Sequence, residues 1–182
     1  MTVLQSSFLE PKPFIKWAGG KRALLPELLR LMPESFNNYF EPFIGGGALF
    51  FELTRLGLLN GKKAYLFDAN DELINTYQTV KKHPKKLLGQ LKEFQAKHSE
   101  EFYYATRAMD REPNFKSLPA EVRAARFIYL NKTCFNGLWR VNSKGQHNVP
   151  MGRYKNPAIH DEDNARLVSL TFSGSALCIL LR

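Results

Sequence analysis

The sequence predicts an α/β fold organised as the first half of a doubly wound parallel sheet, on three observations. An extended, aromatic-rich stretch, Tyr39-Phe40-Glu41-Pro42-Phe43-Ile44, runs into Gly45-Gly46-Gly47 and then into an apolar helical run from Ala48 to Leu56. A second buried-strand pattern, Ala64-Tyr65-Leu66-Phe67, ends in Asp68. A helix from Ala69 to Lys81 follows, with Leu73, Ile74, Tyr77 and Val80 at helical spacing. Strand, glycine turn, helix, strand, helix is the order that builds parallel sheets with crossover helices.

Composition bounds the rest. At 182 residues and 44% hydrophobic composition the chain can bury one core and should form one domain with room for an insertion. No apolar run is long enough to span a bilayer and the polar start is not a secretory signal, so a cytoplasmic protein is expected. Cys134 and Cys178 are too few and too far apart for a disulfide framework or a thiolate metal site, and no metal is expected. A net charge of +9 suits either a polyanionic partner or simple solubility. Nothing points to an oligomer, and a monomer is the default expectation.

Taken in order, Met1 to Glu10 carries no strong signal and reads as a loose terminus. Phe14-Ile15-Lys16-Trp17-Ala18-Gly19-Gly20-Lys21 is a short extended piece ending in a glycine turn. A phosphate loop would need glycine where Ile15 stands and a hydroxyl residue where Arg22 stands, so an ATPase is excluded. Trp17 by itself reads first as a core anchor. Leu24, Leu25, Leu28, Leu29 and Met32 form one helical stripe, a packing face, with Pro26 tolerable in a first turn. At Gly45 to Gly47 the backbone can take positive φ and a ligand can approach closely, while the next helix offers unpaired amides. On the glycines alone, a ligand loop and a bare tight turn stay equally open. Asp68, at the carboxyl end of a strand, is placed where an acid can bind ribose hydroxyls.

From Lys81 the character changes. A basic break, Lys81-Lys82-His83-Pro84-Lys85-Lys86, reads as a solvated loop. Leu87, Leu88, Leu91 and Phe94 mark a helix ended by His98-Ser99, and Ser99 can cap the next one ahead of Glu100 and Glu101. Pro119 suits the first helical position of a run from Ala120 to Asn131. Pro84 to Asn131 is expected to be a small helical insertion in the sheet domain. Val122 to His160 then holds Arg123, Arg126, Lys132, Arg140, Lys144, Arg153 and Lys155 with no Asp or Glu, a basic patch by sequence. Within it Asn136 to Pro150 is expected to form a hairpin with a polar tip at Asn142 to Gly145. Basic side chains fix phosphates, and Asn, Gln and Arg can read base edges, although a solvated basic loop has the same composition.

Phe14-Ile15-Lys16-Trp17-Ala18-Gly19-Gly20-Lys21 followed by Glu41-Pro42-Phe43-Ile44-Gly45-Gly46-Gly47-Ala48-Leu49-Phe50 resembles the Dam-type (D12 class) family of DNA adenine-N6 methyltransferases, from about Lys12 to Asn156. The resemblance implies a Rossmann-like methyltransferase sheet with a helical and β-hairpin target-recognition insertion, and S-adenosylmethionine as cofactor. It implies cofactor contacts from Trp17, Lys21, Glu41, Pro42, Phe43, Gly45, Gly47 and Asp68. The partner it implies is double-stranded DNA, met by Lys132, Asn136, Arg140, Asn142, Lys144, Asn148, Arg153, Tyr154 and Lys155. At His147 the family pattern has phenylalanine. On this resemblance residues 1–82 form the cofactor-binding half, 83–158 the recognition region and 159–182 the start of the catalytic half.

An adenine amine is a poor nucleophile because its lone pair is delocalised, so the base must be flipped out, stacked and its amine held by acceptors. The family does this with Asp-Pro-Pro-Tyr, and this sequence contains no Pro-Pro pair. Asn136 and Tyr154 are expected to stand in the recognition segment, away from the cofactor loop. Glu162 to Leu170 suits a connecting helix, whereas Thr171 to Arg182 departs from the family and reads as a foreign or prematurely ended tail. The sheet is therefore expected to be incomplete at its C-terminal side, and the chain to bind cofactor and DNA without methylating at a complete relative's rate. Methylation of RNA or another substrate is the further alternative, disfavoured by the hairpin. A GATC recognition site and a role in restriction–modification follow from the resemblance alone.

Overall fold

The computed structural model describes residues 10–174 and 176–181; the expectation for Met1 to Leu9 therefore lies outside the described residues. An extended segment leads into a 3₁₀ turn (Lys21–Leu24) and helix α1 (Leu25–Arg30), with Pro26 in the first turn. The leucine stripe is not a core face: nothing in these ten residues is buried, and Leu24 is 58% exposed. The change from a period of three to 3.6 within the stripe splits its residues between directions. Only Leu29 and Met32 pack against the core.

Strand β1 (Asn38–Glu41), helix α2 (Ala48–Arg55), strand β2 (Lys63–Asp68) and helix α3 (Asp71–Lys82) follow in the expected order. Helix α3 starts at Asp71, after Ala69, because Asn70 caps it, its Oδ1 accepting from the Leu73 amide at 3.1 Å. Helix α4 (Pro84–Ala96) ends before His98, and the Ser99 hydroxyl caps α5 (Glu100–Ala108). Pro119 sits one position earlier than expected, as the N-cap of α6 (Ala120–Thr133). Helix α6 is buried nearly all round, with Ala124, Ala125, Phe127, Ile128, Tyr129 and Leu130 inside, and α3, α4 and α5 pack on it. The helices of the expected insertion thus share one core with those of the sheet.

Helix α7 (Glu162–Gly174) leads to strand β3 (Ala176–Leu181), and the sheet runs β1-β2-β3, all parallel. This corrects the expectation of a foreign tail. Phe172 is fully buried, with ring centroids 5.9 Å from Phe50, 6.1 Å from Phe51 and 5.8 Å from Tyr77. Strand β3 pairs with β2 from Lys63↔Ala176 to Asp68↔Leu181. On the covered face lie Tyr39, Ala64, Leu66, Leu177 and Ile179; on the other, Phe40 stacks on Tyr65 at 4.6 Å and stays 58% exposed.

The expected hairpin is present without a continuous ladder. Asn142 and Gln146 close the turn, antiparallel bridges join Val141 to His147 and Cys134 to Met151, and the Asn148 amide donates to Arg140 O at 3.1 Å. The pairing goes no further because other backbone groups of the returning limb are taken elsewhere. The His147 amide donates to Asp110, and the Val149 carbonyl accepts from Tyr103 and Arg107. Pro150 has no amide to give.

Candidate cofactor cavity and nucleic-acid interface

The glycine loop leaves β1 tied to the end of β2: the Ile44 amide donates to Phe67 O at 2.8 Å and the Gly45 amide to Asp68 Oδ2 at 3.1 Å. Asp68 Oδ1 accepts from the Asn70 amide at 3.0 Å, so one carboxylate fixes both the loop and the start of α3. Gly45 and Gly47 have φ of +50° and +75°. A Cβ on Gly45 would meet Trp17 Cδ1 at 2.7 Å, and one on Gly47 would meet the Tyr77 hydroxyl at 2.7 Å. That hydroxyl donates to Gly45 O at 3.1 Å. Glycine is required at both places by conformation and by space.

Lys21 Nζ donates to Phe43 O at 2.6 Å and lies 3.1 Å from Glu41 Oε1, while the Tyr39 hydroxyl donates to Glu41 Oε2 at 2.7 Å. Burial pushes the Glu41 carboxyl up, and Tyr39 and Lys21 oppose it. These contacts brace the loop from behind. A cavity of about 770 Å³ opens on the other side, lined among others by Lys16, Trp17, Lys21, Phe43, Gly45 and Asp68. Of the residues named from sequence for the cofactor, Glu41, Pro42 and Gly47 are not in its wall. Trp17 serves both of its readings: it lines the cavity and packs between the glycine loop and Phe127, whose ring is 6.3 Å away.

The basic segment meets this cavity directly. The fully buried Asn131 side chain accepts from the Lys16 amide at 2.8 Å and donates to Lys16 O at 2.7 Å and Gly137 O at 3.2 Å. Lys16 Nζ lies 4.4 Å above the Tyr154 ring and donates to its hydroxyl at 3.4 Å. Tyr154, and Gly137 beside Asn136, are therefore against the segment that carries Trp17. Lys132 is half-buried in the cavity wall, off the hairpin, and burial, followed by the Lys16 charge, pulls its pKa down.

Nor is the patch as basic as its sequence. Arg123 pairs with Glu72 at 2.6 Å and the buried Arg126 with Asp110 at 2.7 Å, so acids far away in sequence neutralise both. Arg140, Lys144, Arg153 and Lys155 remain exposed. Asn142 spends its side chain on the turn, accepting from the amides of Lys144 and Gln146, and Asn148 Oδ1 accepts from Arg140 Nε at 2.8 Å. Sequence reasoning missed Tyr77, Lys16 and Asp110 as parts of the site. A charged Arg126 amid Ala124-Ala125 and Phe127-Ile128 was the available signal for a buried partner such as Asp110.

The family model described as D12 class N6 adenine-specific DNA methyltransferase matches residues 17–176. The chain belongs to this family. It is 45% identical over 180 residues to the type II methyltransferase M1.LlaDCHI of Lactococcus lactis subsp. cremoris, covering 99% of this chain and 61% of that protein. It is 43% identical over 173 residues to the type II methyltransferase M.MjaIII of Methanocaldococcus jannaschii, covering 88% of this chain and 59% of the relative. With the DNA adenine methylase of Escherichia coli K12 it shares 36% identity over 148 residues, 80% of this chain and 49% of the relative. The chain thus spans less than two thirds of the length of these relatives. The family match reaches residue 176, past Thr171, and the Lactococcus alignment covers nearly the whole chain. Among the described residues no group of three or more His, Cys, Asp or Glu could hold a metal, and no helix is long and apolar enough to cross a membrane.

Proposed function

We propose that this chain binds S-adenosylmethionine in the cavity between Trp17 and Asp68 and docks duplex DNA beside it, serving adenine-N6 methylation in the cytoplasm. The observation that carries this reading is the convergence of glycine loop, strand-end acid and indole in one cavity, joined through Asn131 to the exposed basic segment. The residues fit the group. Asp68 accepts one amide on each oxygen and has lone pairs left for ribose hydroxyls. Trp17 offers an aromatic wall for a purine, and Lys16 and Lys132 offer positive charge for a carboxylate. The cofactor, when bound, supplies a methyl group on a positively charged sulfur. What this chain's residues contribute is orientation and exclusion of water, the positioning part of lowering the barrier. The relatives named DNA adenine methylase and the Asn136 to Lys155 resemblance support an adenine target, with GATC as the expected site.

Calorimetric titration with S-adenosylmethionine tests the cavity. Asp68→Ala should weaken binding by ~1.5–3 kcal/mol, about tenfold or more, because a charge-assisted hydrogen bond and the loop anchor go together. Unchanged affinity in the folded variant removes Asp68 from the site. For DNA, log K against log[salt] should slope near about −4 if Arg140, Lys144, Arg153 and Lys155 each meet a phosphate. Arg140→Ala and Lys144→Ala should weaken duplex binding more than Lys85→Ala on α4. Equal effects from the three would mean a diffuse field without a docked segment.

Tritiated-methyl transfer to a GATC-containing duplex tests turnover. Incorporation above background supports methylation by this chain, and calorimetric binding without incorporation limits its part to binding.

A further inference from the structure

Besides Arg140 on the outgoing limb, which bonds Asn148, the returning limb of the recognition segment is held by side chains from one corner, α5 and the 3₁₀ turn Met109–Arg111. Asp110 Oδ2 accepts the His147 amide at 2.7 Å, and Arg111 donates to His147 O at 3.3 Å. Two residues on, Val149 O accepts from the Tyr103 hydroxyl at 2.9 Å and from Arg107 at 3.1 Å. The Asp110 carboxylate is itself fixed from below: Arg126 Nη2 lies 2.7 Å from Oδ2, and the Arg126 side chain is 1% exposed. Arg126 in turn is held by the carbonyls of Thr106 and Arg107 at 2.9 and 2.8 Å.

We propose that Asp110 is a positioning residue for sequence recognition, transmitting the fixed position of buried Arg126 to the backbone of the DNA-reading segment at His147. The proposal rests on the reading that this segment docks on duplex DNA. Residues that read bases must be held to within a fraction of an ångström, and an isolated two-limbed ribbon joined by a few bridges has little rigidity of its own to do that. Here an acid–arginine pair in the helical core adds the hold that the sparse pairing lacks. The side chains mounted on the limb follow from it. Asn148 lies next to the anchored amide, and Arg140 is held across the turn by Asn148 Oδ1. Asp110 touches no exposed base-reading or phosphate-binding group of the segment except through backbone, so its loss removes alignment and leaves the positive charges in place.

The test is selection by the full chain from a duplex library with a randomised core, sequenced after binding, together with Kd values on the enriched duplex and on a scrambled one. Asp110→Asn keeps the size of the side chain and weakens its hold on Arg126. It should lower the ratio of enriched to scrambled affinity by about tenfold, the worth of one well-made base contact. Affinity for scrambled duplex should stay within about twofold, since the phosphate-facing charges are retained. Tyr103→Phe leaves the Asp110–Arg126 pair intact, removes one donor to Val149 O, and should shift the ratio in the same direction by less. Hydrogen exchange at His147 should accelerate in Asp110→Asn while S-adenosylmethionine affinity holds. A merely structural role would lower melting temperature, cofactor affinity and both DNA affinities together. If Asp110→Asn melts below the assay temperature, Tyr103→Phe decides. Variants that keep the wild-type ratio overturn the proposal. A wild type that enriches no sequence overturns the DNA-reading assignment itself, and the proposal falls with it.

Discussion

Arg126→Met is expected to cost this protein about 3 kcal/mol of stability, a large share of a typical domain's total. The Arg126 side chain is 1% exposed and its guanidinium lies 4.9 Å from the Phe115 ring centroid. Burial pulls its pKa down, and the Asp110 carboxylate beside it opposes that. Methionine fills a similar volume and is no strain on the helix, so packing is not what is lost. What is lost is one of two arginine partners of a carboxylate that is only 10% exposed, Arg111 staying 2.9 Å from its other oxygen, and the donors to Thr106 O and Arg107 O. A carboxylate held from one side only, beside two carbonyls without their donors, is the costly outcome, beyond the worth of a surface ion pair. Arg126→Met/Asp110→Asn should recover part of the loss by removing that charge. Urea unfolding at neutral pH, with m unchanged, measures both. A single-variant loss below about 1 kcal/mol would mean that Arg111 and water suffice to hold Asp110, and the Asp110–Arg126 pair would then be no anchor.

The order of elements was legible because it depends on short-range signals that the chain cannot hide. Glycines at Gly45 and Gly47, an acid at Asp68, Ser99 before a helix and Pro119 before α6 act within a few residues of themselves. Each does in the structure what its chemistry requires. Periodicity misled at Leu24 to Met32, where a run of leucines met a turn of a different period and was left on the surface. It also gave no warning that Ala176 to Leu181 belongs to the sheet. Strand β3 earns its place only through pairing with β2, more than a hundred residues earlier, and pairing partners are not written locally.

Of the site, the cavity was more legible than the interface. Trp17, Lys21, Phe43, Gly45 and Asp68 do line one cavity, because a strand end and the loop beside it are placed by the same sheet. A charge count along the sequence cannot see that Glu72 and Asp110 stand opposite Arg123 and Arg126 in space. Seven basic residues read as a patch; two are internal pairs and Lys132 belongs to the cavity wall. The same limitation hid Asn131, whose amide joins Lys16 to Gly137 across more than a hundred residues of chain.

His147→Phe is expected to flatten the acid sensitivity of this fold. His147 is fully buried, its ring 4.6 Å from Trp139, which lies 4.0 Å from Phe127. Neither ring nitrogen has a hydrogen-bond partner among the described residues. Burial first, then the charge of Arg126, holds its pKa down to about 4, with Asp110 opposing. The neutral ring therefore occupies a slot suited to an aromatic hydrocarbon, and the phenylalanine of the family pattern explains the slot. Since the folded pKa lies below the unfolded value near 6.5, the unfolded chain takes up the proton first as pH falls. Stability from this residue is full above pH ~6.5, drains away as pH falls toward about 4, and changes no further below that. A shift of this size corresponds to roughly 3 kcal/mol across the window. Phenylalanine has no proton to take up and no ring nitrogen to leave unpaired, so at pH ~7 the variant should be at least as stable as wild type, less any cost of its extra volume. Acidic side chains such as Glu41 titrate in both proteins and cancel in the comparison. Urea midpoints at pH ~7 and ~4.5 check it, and parallel losses in the two proteins would mean that the His147 ring finds a proton acceptor or water in solution.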